Sequence, residues 1–308
     1  MSVNTKLKDH IIISDKANCC GCTACYAKCP ENAISMREDD EGFKYPVVDE
    51  SRCIDCGLCI KSCPQITGNQ REKTSCFLAA THREDEVRAI SSSGGLFSAL
   101  AQSVIDRNGV VYGAVYDRDF NVKHIRADNS EWERMRTSKY VQSDMGDIFQ
   151  SVKADLRSGR TVLFTGTPCQ VDGLNKYLCD TDRSGLITCD LICHGVPSPL
   201  IWREYLELVK RDAGKPIGKI NFRNKRGCGW HDSTLCIEDT QGEVLVNEPH
   251  NKALFSCLYF SHYILRPSCF SCRYADLIEN ELDKLEGEMK EWKQQDEDVL
   301  SYALFPQV

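Results

Sequence analysis

The sequence predicts two units in tandem: a small α+β unit organised around cysteines, then a larger α/β domain with a mixed sheet, ending in an amphipathic helix. Three observations carry this. Two tight cysteine runs, with a strand-like segment between them, fall within residues 19–64. From residue 76 onward, strand-like and helix-like segments alternate. Residues 278–292 place apolar side chains at spacings of four and three.

The chain has 308 residues, enough for two or three domains. Its net charge of −7, with no basic stripe, argues against nucleic acid as a main partner. Residues 1–10 are polar and lack the apolar centre of a signal peptide, and no apolar run approaches the ~20 residues of a membrane span. A cytoplasmic protein with no membrane span is expected. Nineteen cysteines in such a chain point to metal or redox chemistry rather than to a disulfide framework.

Cys19, Cys22, Cys25 and Cys29 follow the spacing C-x2-C-x2-C-x3-C, with Pro30 next. Cys53, Cys56, Cys59 and Cys63 repeat it, with Pro64 next. This is the run of two-cluster [4Fe–4S] ferredoxins, in which the fourth cysteine serves the other cluster. The expected ligand sets are therefore Cys19, Cys22, Cys25 with Cys63, and Cys53, Cys56, Cys59 with Cys29. Zinc knuckles would separate two C-x2-C pairs instead of grouping four cysteines. Cys20 is surplus to the pattern and reads as a small hydrophobe. Residues 43–48 read as a strand of the intervening hairpin, 9–68 as the ferredoxin-type domain, and 69–75 as a polar linker.

In the remainder, 76–81 is strand-like and 84–90 helical. Ser91 to Gly95 opens a helix over 96–105 that Gly109 stops. Strands follow at 110–116 and 161–165, then Thr167-Pro168-Cys169-Gln170 opens a helix reaching about residue 178. A strand is expected at 186–193. Ser198 caps a helix with Pro199 at its first position, and strands return at 217–223, 233–237 and 243–247. Ser138-Lys139-Tyr140 falls in a loop. Regions 76–150 and 151–277 make up this domain.

Two places in it look chemical. A Ser/Gly turn at a helix N-terminus is suited to phosphate, although a plain helix cap explains Ser91 to Gly95 equally well. Cys169, Cys193, Cys269 and Cys272 sit at loop positions and suit a further four-thiolate site. Buried apolar cysteines are the other reading, and spacing alone leaves both open.

Ser93-Gly94-Gly95, Ser138-Lys139-Tyr140, Thr167-Pro168-Cys169-Gln170, Cys193-His194-Gly195 and Cys269-Phe270-Ser271-Cys272-Arg273-Tyr274-Ala275 resemble, in order, the motifs of the coenzyme F420 hydrogenase/dehydrogenase beta-subunit family. The resemblance covers roughly 76–275 and implies a flavin-binding-type domain in an iron–sulfur flavoprotein oxidoreductase. Cys169, Cys193, Cys269 and Cys272 would then hold a third [4Fe–4S] cluster. Ser93, Gly94 and Gly95 would meet the FAD phosphates, with Ser138 and Lys139 in the cofactor pocket. His194 and His231 are given no catalytic role.

After Ala275 the chain departs from the motifs expected of the family, so residues 151–277 read as a truncated C-terminal region and 278–308 as an atypical helical tail. Ile278, Leu282, Leu285, Met289 and Trp292 form a seam suited to self-association. Residues 298–308 resemble the end of biotin-dependent carboxylase and oxaloacetate decarboxylase alpha subunits. The expected function is passage of electrons between a ferredoxin-like redox partner protein, the clusters, FAD and a small-molecule hydride donor or acceptor, coenzyme F420 or another. The alternatives are a non-catalytic electron-transfer subunit and a truncated, inactive reductase.

Overall fold

The computed structural model describes residues 10–68, 80–226 and 232–275. The first span contains helices α1 (Ala24–Lys28), α2 (Leu58–Lys61) and α3 (Pro64–Thr67) around an antiparallel hairpin of β1 (Ile34–Glu38) and β2 (Lys44–Val48). The Asp39 carboxylate closes the hairpin turn by accepting from the Glu41 and Phe43 amides at 3.1 and 2.9 Å. This is the strand expected at 43–48.

Beyond α4 (Asp85–Ala89) and α5 (Leu96–Ile105), a mixed four-stranded sheet forms from β3 (Val110–Tyr116), β4 (Val122–Ala127), β5 (Val162–Gly166) and β6 (Leu186–Asp190). Its order is β4-β3-β5-β6, with β3 and β4 antiparallel and β3, β5 and β6 parallel. Parallel neighbours need crossovers, which α6 (Ile148–Arg157) and α7 (Pro168–Tyr177) supply. The period of two along a strand divides the core. Val110, Tyr112, Val162 and Phe164 pack with residues of α6 and α7, while Val111, Val115 and Leu163 pack with Ala101 and Val104 of α5. Because both faces are covered, β3 is almost continuously buried.

A second sheet, β7 (Ile217–Asn224), β8 (Thr234–Asp239) and β9 (Val244–Pro249), is an antiparallel meander. It shares a core with α8 (Pro199–Ala213) and α9 (Leu254–Phe260), centred on Trp202, Phe222 and Phe255. The Trp202 indole donates to Phe120 O at 2.8 Å, tying this layer to the β3–β4 turn.

Most expected elements form, but the sequence reading included neither the strand β4 nor the helix α9, and it ran one strand too long. The strand expected at 186–193 ends at Asp190, paired with Gly166. Its neighbour β5 stops there because the chain turns into α7 at Pro168, so Leu191 N–H makes a last bond to Gly166 O at 3.1 Å and residues 192–193 carry Cys193 past the strand ends. The linker at 69–75, most of the strand-like 76–81 and the helix at 278–292 lie outside the described residues. No described helix is long and apolar enough to cross a membrane.

Candidate iron–sulfur and cofactor site

The two cysteine loops repeat one backbone device. Gly21 and Thr23 flank Cys22 with φ of 69° and 68°, and Asp55 and Gly57 flank Cys56 with 50° and 68°. Left-handed residues on both sides of the middle cysteine curl each loop into a concave ribbon, with its amides turned toward the sulfurs. The pattern survives a non-glycine residue in each loop, Thr23 and Asp55, where the left-handed region is costly for an L residue.

Cys29, Cys53, Cys56 and Cys59 line one small pocket, walled further by Ile34 and Leu58. Backbone amides point at this set, with Ile11 N–H donating to Cys59 Sγ at 3.2 Å and Ala33 N–H to Cys29 Sγ at 3.3 Å. Cys19, Cys22, Cys25 and Cys63 are all buried, and Cys25 lies within electrostatic range of Cys19 and Cys63. Four thiols around one pocket, with amides aimed at sulfur, fit a cubane cluster. Burial holds the Cys19, Cys25, Cys59 and Cys63 thiols above the ordinary range, so ligation must release their protons.

One set lies near the surface and the other at the junction between the units. Cys56 is exposed, whereas Cys22 and Cys20 belong to the core formed by α6 and α7. A Cβ on Gly173 of α7 would lie 2.8 Å from Cys22 Sγ, so the approach requires glycine. Polar bonds close the same seam: Tyr26 to Asp147 at 2.7 Å, Lys44 to Asp144 at 2.6 Å and Lys28 to Tyr177 O at 3.1 Å.

Cys169 stands at the start of α7, where Thr167 and Gln170 form a reciprocal cap. The cap belongs to a longer chain of bonds. Thr167 N–H donates to Gln170 Oε1 at 2.9 Å and Gln170 Nε2 to Ser143 Oγ at 3.0 Å, while Ser143 Oγ meets His124 Nδ1 at 2.9 Å. The His124 Nε2 lies 2.9 Å from Thr165 O. A neutral ring, donating to Thr165 and accepting from Ser143, satisfies every group, and burial pushes this imidazole down to about 4. The Cys193 thiol is pushed up to about 12 by burial, with Cys269 and Cys272 adding to the shift. Cys193 acts in the same way on Cys169, so all four cysteines of the expected third set share one neighbourhood.

Sequence reasoning set Cys20 aside, yet it occupies the space between the sets. Hydrogen bonds from the Cys169 and Cys22 thiols hold it well below the ordinary thiol range. Its signal was its place inside the first cysteine run, which the ferredoxin spacing does not use.

The Ser/Gly turn and the Ser138–Lys139 loop also come together. Ser138 N–H donates to Ser92 Oγ at 2.8 Å, and Gly95, at φ 84°, caps α5. Ser93 is exposed, while Gly94 is held by His82 N–H, which donates to its carbonyl at 2.7 Å. Lys225, absent from the sequence reading, donates to Ser93 O at 3.0 Å and to Arg88 O at 3.1 Å. The half-buried Lys139 donates to Thr137 O and Arg134 O at 2.7 and 2.9 Å, so its ammonium turns toward its own loop. Burial pushes it down to about 7. Tyr140 joins an aromatic group with Phe222 and Tyr259, at ring distances of 5.0 and 5.3 Å. His194 meets His262 at 2.9 Å between their Nε2 atoms. His231 lies outside the described residues.

Two family models match parts of the chain. Residues 18–66 match the 4Fe-4S dicluster domain. Residues 159–294 match the C terminus of the coenzyme F420 hydrogenase/dehydrogenase beta subunit, a span that includes Cys169, Cys193, Cys269 and Cys272 and runs past Ala275. Comparison with curated proteins gives no match. Among solved structures, a chain of the xenon-derivatised F420-reducing [NiFe] hydrogenase complex from Methanosarcina barkeri is similar, with TM-score 0.43 and 19% identity. The alignment covers 62% of this chain and 63% of that one, less than two thirds of the relative's length. The chain thus carries a span similar to a 4Fe-4S dicluster domain, followed by one similar to the C terminus of the coenzyme F420 hydrogenase/dehydrogenase beta subunit, which relates it to iron–sulfur electron transfer of the oxidoreductase type.

Proposed function

We propose that the chain is an iron–sulfur flavoprotein oxidoreductase that passes electrons between a protein partner and a small hydride donor or acceptor, coenzyme F420 or another. The observation that carries this reading is the progression of cysteines. The exposed Cys56 belongs to the set nearest the surface, the Cys19 set lies at the junction, and Cys20 sits between that set and Cys169. Bound to this chain, the clusters would supply one-electron transfer and FAD would supply hydride exchange.

The chain's own residues have separable parts in this. Cys169, Cys193, Cys269 and Cys272 would hold a third cluster, with the Thr167–Gln170 cap fixing the first of them. Burial among Trp202, Phe222 and Phe255 keeps water from the second unit's core. At the start of α5, the helix N-terminus and the Lys225 ammonium at Ser93 O form a donor set suited to the FAD phosphates. Ser138 is tied to this turn through Ser92, and Lys139 supports the loop beside it.

The test is flavin extracted and counted from anaerobically purified full-length protein. The reading predicts close to one FAD per chain. Absence of FAD after incubation with excess cofactor, with the ferredoxin clusters intact, would leave an electron-transfer subunit in its place.

A further inference from the structure

Arg266 precedes the turn Pro267–Cys269, and its side chain is fully buried where the first cysteine loop meets the second unit. Its Nε donates to Cys19 O at 2.6 Å and its Nη2 to Lys44 O at 3.0 Å, so one guanidinium ties the cysteine loop to β2. Nη1 donates to Gln142 Oε1 at 2.9 Å, and Nη2 lies 3.6 Å from Cys19 Sγ. The group stacks 4.3 Å from the centre of the Tyr45 ring. None of these acceptors is a carboxylate.

A buried guanidinium whose hydrogen-bond acceptors are carbonyls, an amide and a cysteine sulfur is unfavourable, because among the described residues its charge has left water without a carboxylate partner. The nearest place for a compensating charge is the sulfur set beside it. A [4Fe–4S] cluster on four thiolates is anionic and becomes more so on reduction, so a cation and N–H donors at its edge favour the reduced form.

We propose that Arg266 is the built-in counter-charge of the cluster held by Cys19, Cys22, Cys25 and Cys63, raising its reduction potential and locking the two units together around it. Arg266 is a positioning residue in this account, since it acts through the cysteine loop and the charge of the cluster. It reaches from the loop that carries Cys269 into the ferredoxin unit, the route along which the two cysteine sets must stay in register. The surface set of Cys29, Cys53, Cys56 and Cys59 makes no contact with it among the described residues.

The proposal rests on cluster binding by the ferredoxin unit, and it is tested by redox titration of the anaerobic full-length protein followed by electron paramagnetic resonance. Arg266→Gln removes the charge. Gln142→Glu leaves the guanidinium in place and gives it a carboxylate partner. Both should lower the reduction equilibrium of one ferredoxin-unit cluster at least tenfold, which is 59 mV for one electron, and leave the other unmoved. Arg266→Lys should keep most of the wild-type potential. Unchanged midpoints in both charge-altering variants, or equal shifts of both clusters, would overturn the proposal. If Arg266→Gln does not retain its clusters, Gln142→Glu decides by the same criterion. Iron counted on the wild-type sample separates failure of this proposal from failure of cluster binding itself.

Discussion

Replacing Gly173 with alanine tests how the two units meet. Gly173 lies inside α7, where an ordinary Gly→Ala change stabilises a helix by about 1 kcal/mol. Here the new methyl would stand 2.8 Å from Cys22 Sγ and 2.9 Å from Cys22 Cβ, with Phe149 at 3.5 Å on another side. Contacts that short force the cysteine loop or the helix to move, and overpacking of this kind costs about 1–3 kcal/mol. The two effects oppose each other, and the net expectation is a loss of about 1 kcal/mol, concentrated at a cluster ligand. Urea denaturation of the cluster-loaded protein measures the stability, and resonance amplitude measures occupancy of the Cys22 site. The variant should be less stable and should lose signal from one ferredoxin cluster before the other. A gain of about 1 kcal/mol with both signals intact would show that α7 does not press on Cys22, refuting the close docking.

Three further outcomes follow from individual side chains. Because the buried His124 titrates near 4 in the fold and near 6.5 unfolded, stability should be full above pH 6.5, fall as pH drops toward 4, and level off below it. The loss, about 3 kcal/mol at 1.36 kcal/mol per unit, should vanish in His124→Gln, and identical pH profiles for the two proteins would contradict the neutral ring. Cys20→Ala should retain both ferredoxin-cluster signals, since Cys20 lies between ligand sets; loss of either would make it a ligand. Lys225→Met should weaken FAD binding about tenfold, or about 1.4 kcal/mol. Burial pushes the Lys225 amine down to about 8, so wild-type affinity should itself fall above that pH as the positive charge is lost. Equilibrium dialysis checks both, and affinity indifferent to the substitution would place the phosphates elsewhere.

Much of this molecule was legible because its strongest signals are local. Three-residue cysteine spacings force the chain into a tight loop whatever surrounds it, and Pro199 after Ser198 marks a helix start by backbone chemistry alone. The mixed sheet was also readable, since β3 and β5 are mostly apolar and must be covered on both faces. Arg266 carried no such signal: one arginine before a C-x2-C pair looks like any solvated cation until folding brings it to Cys19, 247 residues away in sequence. Lys225 and Ser93 likewise meet across 132 residues. The end of β6 at Asp190 depended on where its neighbour β5 gave way to α7, which apolar pattern within 186–193 does not encode.

The most direct test of the central claim is iron and acid-labile sulfide counted per chain after anaerobic reconstitution, in the wild type and in Cys169→Ala. Three four-iron clusters predict about twelve of each in the wild type and about eight in the variant. About eight in both would remove the third cluster and end the path at the junction, and fewer than eight in the wild type would contradict the two-cluster site itself.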